Sequence, residues 1–285
     1  MSSTHHTGQR VWLITGASSG LGRAIATAAL EGGDTVVATA RRPKALDDLV
    51  AAYPERVQPV ALDVTEMHAT RVVDDVVTQH GRIDVLVNNA GRTQVGALEE
   101  TTEQELRYLF ELHFFGPAAL TKAVLPHMRR QGGGAVVQVS SVGGQITGPG
   151  FGAYCATKHA LEGLTEALSQ EVDFGVRFLI VEPGAFRTGL FAAGSAYLST
   201  AMPEYAATVG PTRAYVTDGD GTQPGDPAKA AAAILTALAA EHTPLRLALG
   251  DDAVDSIRAH LNSMGEELTA WESLSRSTNF NPESN

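Results

Sequence analysis

The chain has little cysteine and no long apolar run. Cys155 is the one cysteine among 285 residues, so no internal disulfide is possible. No stretch approaches the roughly 20 apolar residues that a membrane-spanning helix needs. The start of the chain, residues 1–9, is polar and lacks the apolar core of a secretory signal, so we expect it to be flexible. These absences favour a reducing, cytoplasmic location.

Positive charge is also scarce. The chain has 21 basic against 32 acidic residues and a formal net charge of -11. A broad surface for nucleic acid or an anionic membrane requires the opposite balance, so we expect neither partner. The adjacent His5 and His6 fit a disordered tail better than a metal site, and we predict no metal. Hydrophobic residues make up 44% of the chain, which indicates a folded globular protein.

Short apolar runs alternate with segments of helical periodicity along most of the chain. Strands that are apolar throughout indicate a parallel sheet covered on both faces. We predict one α/β domain over residues 1–285, with a doubly wound, mostly parallel, seven-stranded sheet of the Rossmann type. The predicted strands are residues 11–15, 35–39, 57–62, 83–87, 135–139, 176–181 and 245–249. The predicted helices are residues 21–30, 44–52, 66–79, 102–130 with a break near Gly116, 154–174, 227–240 and one starting near 251.

Two segments depart from this alternation. Residues 189–227 are rich in small residues and proline with weak periodicity, which predicts an irregular lid with short helices. Asp226 followed by Pro227 is typical of a helix start. Residues 273–285 are polar and are expected to form a frayed C-terminal tail.

A glycine-rich turn follows the first predicted strand. Gly16 allows a tight turn, Gly20 allows close approach of a pyrophosphate, and Gly22 allows tight packing of the next helix. The helix N-terminus would offer unpaired N–H groups to an anion. The predicted phosphate-binding residues are Gly16, Ser18, Ser19, Gly20, Leu21 and Gly22. The alternative is a glycine-rich turn that binds nothing.

The second predicted strand ends at Ala40, followed by Arg41 and Arg42. An acid at this place would accept hydrogen bonds from a ribose 2′-hydroxyl, whereas arginine attracts a 2′-phosphate. We therefore predict NADP(H) in preference to NAD(H). The alternative is that both arginines are solvated loop charges.

Two further strand ends carry candidate cofactor contacts. Asp63, followed by Val64, either accepts a hydrogen bond from the adenine amine or caps the next helix. The small residues around Asn89, Ala90 and Gly91 would let the backbone lie against adenosine, and the alternative is an ordinary turn.

The candidate chemical group is formed by Tyr154 and Lys158, which are four residues apart and share one helix face. A free tyrosine has a pKa of about 10 and is a poor base at neutral pH. A close lysine cation and a positive nicotinamide ring would lower that pKa, so we expect Tyr154 to exchange a proton with a substrate oxygen. Ser141, at the end of another strand, would hydrogen-bond the same oxygen. A tyrosine and a lysine four residues apart are also common on surface helices, and serines after a strand are also common at the start of a loop.

Together these residues resemble the short-chain dehydrogenase/reductase family, over about residues 11–188 and more weakly over 245–250. The resemblance implies that Tyr154 is the general acid/base, that Ser141 steadies the substrate and that Lys158 binds the nicotinamide ribose. It further implies a homodimer or homotetramer built from the helices at 102–130 and 154–174. The segment that would bracket the nicotinamide comprises Pro183, Gly184, Phe186 and Thr188.

One residue departs from the family pattern. Many members have an asparagine where this chain has His113, and that asparagine holds a water that connects the lysine to solvent. The imidazole would either hold the same water or relay a proton itself, since its ordinary pKa is near neutrality. The alternative is that the backbone carbonyl does this work and the side chain is tolerated.

These observations predict an NADP(H)-dependent oxidoreductase that moves a hydride between nicotinamide and a ketone, aldehyde or secondary alcohol. The alternatives are a cofactor-binding sensor and an epimerase or dehydratase on the same fold. An apolar, bulky substrate is expected against the lid. Its expected contacts are Thr93, Gln94, Gln145, Ile146 and Phe151, with Phe186, Leu190, Phe191 and Tyr197 as further candidates.

Overall fold

A computed structural model describes residues 9–192 and 194–280. Most of the predicted flexible N-terminus and the last five residues of the predicted tail lie outside the described residues. The central sheet has seven strands, all parallel, in the order β3-β2-β1-β4-β6-β7-β9. They are β1 (Val11–Ile14), β2 (Thr35–Ala40), β3 (Val57–Ala61), β4 (Val85–Asn88), β6 (Gly134–Val139), β7 (Val176–Pro183) and β9 (Arg246–Leu249). The predicted doubly wound parallel sheet is confirmed.

Helices cover both faces of this sheet, which explains why its strands are apolar throughout. They are α1 (Gly20–Glu31), α2 (Asp47–Ala52), α3 (Arg71–His80), α4 (Glu103–Phe110), α5 (Gly116–Gln131), α6 (Gly152–Glu171), α7 (Gly210–Asp218), α8 (Pro227–Ala239) and α9 (Asp251–Arg276). In β1, Trp12 and Ile14 pack in the core formed with α1 and α8, whereas Leu13 packs in the core formed with α3 and α5.

The strand order reverses beside β1, which pairs with β2 on one side and with β4 on the other. At such a switch point the loops leaving the two neighbouring strands turn to opposite faces of the sheet. A crevice therefore opens at the carboxyl ends of these strands. The predicted glycine turn and Asn89 both follow strands that end at this crevice.

Several element boundaries differ from the sequence prediction. The helix predicted at 66–79 begins only at Arg71. The long helix predicted at 102–130 is interrupted by a π-helical segment, Glu111–Phe115, that directly precedes the expected break at Gly116. The last helix continues to Arg276, so the start of the predicted polar tail is helical. Leu274 and Arg276 have high helix propensity, and polarity alone does not end a helix.

The start of α8 agrees with the sequence prediction. Asp226 is its N-cap and accepts a hydrogen bond of 2.8 Å from the backbone N–H of Ala228, with Pro227 in the first turn.

The segment predicted as a lid contains α7, a short 3₁₀ turn at Pro203–Tyr205 and β8 (Tyr197–Leu198). β8 pairs in parallel with β5 (Gln94–Val95), forming a second, two-stranded sheet that the sequence does not predict. Strands of two residues have no detectable periodicity, which explains the omission. Within the described ranges, no helix is long and apolar enough to cross a membrane.

Candidate active site

A cavity of about 550 Å³ lies at the carboxyl edge of the sheet. It is lined by every candidate cofactor and catalytic residue named above except Gly22. Gly22 lies behind the turn, where an added Cβ would be 2.3 Å from Asn89 Nδ2 and 2.5 Å from the Gly16 carbonyl oxygen. The sequence-predicted residues therefore converge on one cleft, although they are spread over more than half of the chain.

The glycine turn is held by side chains from the two neighbouring strand ends. Gly16 has φ +65, and an added Cβ would lie 2.9 Å from Cα of Ala90. The Thr15 hydroxyl accepts hydrogen bonds from the backbone N–H groups of Asn89 at 2.9 Å and Ala90 at 3.0 Å. Asn89 donates in return to the Thr15 carbonyl oxygen at 2.9 Å. Asn89 thus fixes the turn as well as lining the cleft.

The N-terminus of α1 faces this turn with its first donors uncapped by a side chain. Ser19 is the N-cap residue but makes no side-chain capping hydrogen bond. Uncapped N–H groups and the helix dipole favour an anion at this end of the helix. The donors present therefore fit the pyrophosphate of a dinucleotide.

Arg41 and Arg42 are exposed at the rim of the cavity, next to the buried end of β2 at Ala40. Within residues 9–192 and 194–280, neither guanidinium takes part in a salt bridge. The nearby acid Asp48 pairs instead with Arg23, at 2.6 Å. Both arginines therefore remain available to an anionic group in the cleft.

Asp63 has a local structural role that neither prediction described. Its Oδ1 accepts hydrogen bonds from the backbone N–H of Thr65 at 3.0 Å and from the Thr65 hydroxyl at 2.7 Å. This closes a turn after β3, several residues before α3 begins at Arg71. The prediction that Asp63 caps the following helix is wrong, because the intervening turn separates the two. Asp63 still lines the cavity.

Tyr154 lies in the first turn of α6, opposite Ser141 at the end of β6. Its ring packs edge-on against His113, with ring centroids 5.5 Å apart. Burial raises the pKa of Tyr154 to about 12, although the Ser141 hydroxyl acts in the opposite direction. The sequence predicts a lowered pKa for Tyr154 beside both Lys158 and a positive nicotinamide ring; without that ring, desolvation of the phenolate dominates. The phenol is therefore protonated at neutral pH.

Lys158 is buried beneath Tyr154. Its Nζ lies 5.8 Å from the centroid of the Tyr154 ring and donates a hydrogen bond of 2.9 Å to the Val139 carbonyl oxygen. Burial lowers the pKa of Lys158 to about 8, while the charge of Glu162 raises it. The ammonium group is thus anchored to the end of β6 and is mostly charged at neutral pH.

His113 lies in the π-helical segment and is almost fully buried. Its Nε2 accepts a hydrogen bond of 3.2 Å from the backbone N–H of Arg92. Its Nδ1 lies 2.9 Å from the Thr157 hydroxyl, which donates its own proton to the Tyr154 carbonyl oxygen at 2.7 Å. A hydroxyl has one proton, so Nδ1 must be the donor to Thr157.

The imidazole of His113 is therefore neutral, with both nitrogens engaged. Burial first, and then the charges of Lys158 and Arg92, hold its pKa well below 6.5. This geometry favours a positioning role, which differs from the water-holding and proton-relay roles predicted from the sequence. The side chain ties the π-helical segment to the first turn of α6, where Tyr154 lies.

A buried acidic pair that the sequence patterns did not predict lies directly behind these residues. Glu162 accepts a hydrogen bond of 2.6 Å from the Ser140 hydroxyl, and Gln145 donates to both Glu162 and Glu182. Arg246 lies 3.3 Å from Glu162 and 3.5 Å from Glu182. Burial and the Glu162 charge raise the pKa of Glu182 to about 7.

Two sequence signals pointed to this pair. Glu162 is four residues after Lys158 on the same helix, and Glu182 is an acid in an otherwise apolar strand.

Three of the expected substrate contacts lie at the cavity and the others do not. Phe186, Leu190 and Phe191 line the cavity. The other expected contacts do not line it. Phe151 packs in the small core of the lid, Tyr197 donates a hydrogen bond of 2.6 Å to Glu105, and Gln94, Thr93, Gln145 and Ile146 lie elsewhere. The parallel pairing of β5 with β8 buries Gln94 away from the cleft.

Comparison with known proteins identifies the family of this chain. A family model described as short chain dehydrogenase matches residues 10–197, well over half of the chain. The protein belongs to the short-chain dehydrogenase/reductase family. As a member, it is an oxidoreductase. Across the described residues, no cluster of histidine, cysteine, aspartate and glutamate side chains is suited to a metal ion.

Relatives in this family cover nearly the whole chain. Oxidoreductase BOA17 of Botryotinia fuckeliana is 40% identical over 271 residues, covering 93% of this chain and 98% of that protein. The crystal structure of a short-chain dehydrogenase from Streptomyces avermitilis is 62% identical with a TM-score of 0.91, covering 96% of this chain and 100% of that one. An alcohol dehydrogenase from Thermococcus sibiricus, complexed with 5-hydroxy-NADP, is 26% identical with a TM-score of 0.69, covering 85% and 96%.

Proposed function

We propose that this protein is an NADP(H)-dependent oxidoreductase that interconverts a ketone or aldehyde with the corresponding alcohol. The observation that carries the proposal is the position of Tyr154. Its phenol lies in the cleft with Ser141 beside it and the Lys158 ammonium group beneath its ring. A sensor of the cofactor would need none of these three side chains.

In the reducing direction, Tyr154 is the general acid. The pKa of about 12 keeps its phenol protonated at neutral pH, so it has a proton to donate to a carbonyl oxygen. The bound nicotinamide supplies the hydride. Ser141, which already accepts a hydrogen bond of 3.0 Å from the Gly143 N–H, uses its own hydroxyl proton to orient the same oxygen.

Lys158 positions the phenol and binds the ribose. One of its three protons is committed to the Val139 carbonyl oxygen. The other two protons remain available to the hydroxyl groups of the ribose in the cleft. Its charge stabilises a developing phenolate on Tyr154 in the oxidising direction, in which the phenol must lose a proton.

The preference for NADP(H) rests on Arg41 and Arg42 at the end of β2. Both guanidinium groups line the cavity, and among the described residues neither has an acidic partner, which favours a phosphate over a hydroxyl. The related alcohol dehydrogenase of Thermococcus sibiricus was solved with 5-hydroxy-NADP. A structure from Burkholderia phymatum in complex with NAD, 23% identical with a TM-score of 0.79, shares the fold alone.

We assign the segment 189–227 to a substrate lid over the nicotinamide end of the cleft. Its Leu190 and Phe191 line the cavity together with Phe186. Apolar side chains at the mouth of the cleft fit an apolar, bulky carbonyl compound.

The test is an NADPH oxidation screen over a panel of ketones and aldehydes, with NADH measured alongside. We expect turnover with NADPH and weaker turnover with NADH. Replacement Arg41→Asp should weaken NADPH binding roughly 10- to 100-fold, as removal of a charge-assisted hydrogen bond costs about 1.5–3 kcal/mol. NADH binding should change little.

Arg71→Asp is the matched control, since Arg71 is exposed at the start of α3, outside the cleft. Equal affinities of the wild-type protein for NADPH and NADH would overturn the cofactor preference. Cofactor binding without turnover across the panel would favour the sensor hypothesis.

A further inference from the structure

The last helix, α9, extends well beyond the body of the protein. At about 1.5 Å per residue, its 26 residues span roughly 39 Å. Ala253 is its one buried residue, and every residue from Leu261 to Arg276 is exposed. A helix of this length that packs on its own domain normally buries an apolar face along its whole length.

The exposed part of α9 is nevertheless apolar along one line. Apolar residues recur at alternating spacings of three and four, and the exposed fractions of Leu268 and Trp271 are 69% and 60%. This 3.5-residue period is that of a seam between paired helices, not of a single helix on a globular core. The seam consists of Val254, Ile257, Leu261, Met264, Leu268 and Trp271.

We propose that α9 pairs with α9 of a second copy of this chain in an antiparallel two-helix coiled coil. The seam is symmetric about a point between Asn262 and Ser263. A two-fold axis through that point places Leu261 against the partner's Met264. It also places Ile257 against the partner's Leu268, and Val254 against the partner's Trp271. Each copy presents the same patch, as a closed dimer requires.

The charges beside the seam select the antiparallel direction. In that direction Arg258 flanks the same edge as the partner's Glu272, and His260 faces the partner's Glu267, so opposite charges or neutral groups meet. A parallel pair would instead place Glu267 against the partner's Glu272. Glu272 already pairs with the exposed Arg276 at 2.7 Å. In the antiparallel dimer, the partner's Arg258 would add a second cation beside the same carboxylate.

The charge of α9 also disfavours an anionic membrane as the occupant of the seam. The helix carries six acidic and two basic side chains. Amphipathic helices that bind such membranes have basic polar faces. This pairing differs from the interface implied by family resemblance, which uses α4, α5 and α6.

The first test is the molar mass of the protein by light scattering, at several concentrations. The wild type should be an even-numbered oligomer, and the double variant Leu261→Asp/Leu268→Asp should have half that mass. The control Asn262→Asp/Thr269→Asp adds the same charge on the outer side of the helix and should keep the wild-type mass. Thermal unfolding of each variant checks that the domain remains folded.

The second test fixes the direction of the pair by oxidation of introduced cysteines, since native Cys155 is buried. A mixture of Ile257→Cys protein with Leu268→Cys protein should form a disulfide-linked dimer, because the axis separates each of these residues from its own copy by about three turns. Either variant alone should cross-link poorly.

A monomeric wild type, or an unchanged mass of the seam variant, overturns the proposal. Strong self-cross-linking of Ile257→Cys alone overturns the antiparallel direction. Binding of the wild type to phosphatidylcholine/phosphatidylglycerol vesicles that the seam variant loses, with equal masses, would assign the seam to a membrane surface instead.

Discussion

The two walls of the cleft are held in different ways. The wall that carries Ser141, Tyr154 and Lys158 is formed by strand ends and α6, so backbone hydrogen bonds of the sheet and helix fix its geometry. The segment 189–227, which we assign to a lid, is built from short elements. Besides the backbone pairing of β5 with β8, side chains such as Glu100 and Arg213 connect it to the neighbouring loop. The sheet thus positions the candidate catalytic side chains, whereas the proposed lid depends in addition on a buried ion pair.

Glu100 is at the centre of these side-chain contacts. It accepts hydrogen bonds of 2.8 Å from the backbone N–H groups of both Ala97 and Met202, and it pairs with Arg213 of α7 at 2.6 Å. Arg213 also donates to the Ser199 carbonyl oxygen at 2.8 Å. Burial would raise the pKa of Glu100, but these hydrogen bonds and the Arg213 charge lower it. One ion pair therefore connects three parts of the lid region.

Loss of the phenol on the sheet side should have the largest effect. Tyr154→Phe removes the proton donor while the ring still packs against His113, so kcat should fall about 10²- to 10⁴-fold. The affinity for NADPH, measured by fluorescence titration, should change little. Tyr205→Phe, which removes an exposed hydroxyl bonded to Glu99, is the control and should retain activity. Undiminished turnover by Tyr154→Phe would remove Tyr154 as the acid/base.

Loss of the lid anchor should change substrate binding more than chemistry. Arg213→Ala leaves the buried Glu100 carboxylate without its cation, at a cost of about 1.5–3 kcal/mol. We expect KM to rise at least about tenfold, with a smaller fall in kcat, in steady-state assays. Arg107→Ala is the control, because its salt bridge to Glu103 is exposed. A fall in kcat with an unchanged KM would contradict this prediction, because the Arg213–Glu100 pair would then affect the chemical step and not substrate binding.

Replacement of His113 tests whether the imidazole positions α6 or relays a proton. His113→Asn retains a donor for Thr157, so activity should fall no more than about tenfold and its pH profile should keep its shape. His113→Leu leaves Thr157 and the Arg92 N–H without this partner and should destabilise the fold by about 1–3 kcal/mol in urea unfolding. Complete inactivity of a folded His113→Asn protein would contradict a positioning role.

The smallest expected effect is on the pH dependence of stability. Glu182 has a pKa raised from 4.5 to about 7, so the folded protein holds more protons than the unfolded chain in that window. Stability should therefore fall as pH rises from 4.5 towards 7, where the acids Glu162 and Glu166 and the cation Arg246 also face this site.

The Glu182→Gln variant should lose this part of the pH dependence. Urea unfolding at several pH values would show a flatter curve than the wild type, whereas Glu166→Gln, at a half-exposed position, should leave the slope unchanged. Parallel curves for Glu182→Gln and the wild type would refute the raised pKa.

The sequence by itself determined the parallel sheet and the residue types at its carboxyl edge. Apolar strand runs, the glycine turn and the spacing of Tyr154 and Lys158 are local patterns, and the carboxyl ends of parallel strands meet at one edge. It did not indicate the two-residue strands of the lid region, because such short pairings depend on distant segments.

Tertiary structure alone decided the protonation of the site. The raised pKa of Tyr154, the neutral form of His113 and the pairing of Glu162 with Glu182 follow from burial and from side chains that are distant in sequence. Composition and spacing cannot specify the desolvation of a charge, since that depends on which atoms surround it after folding.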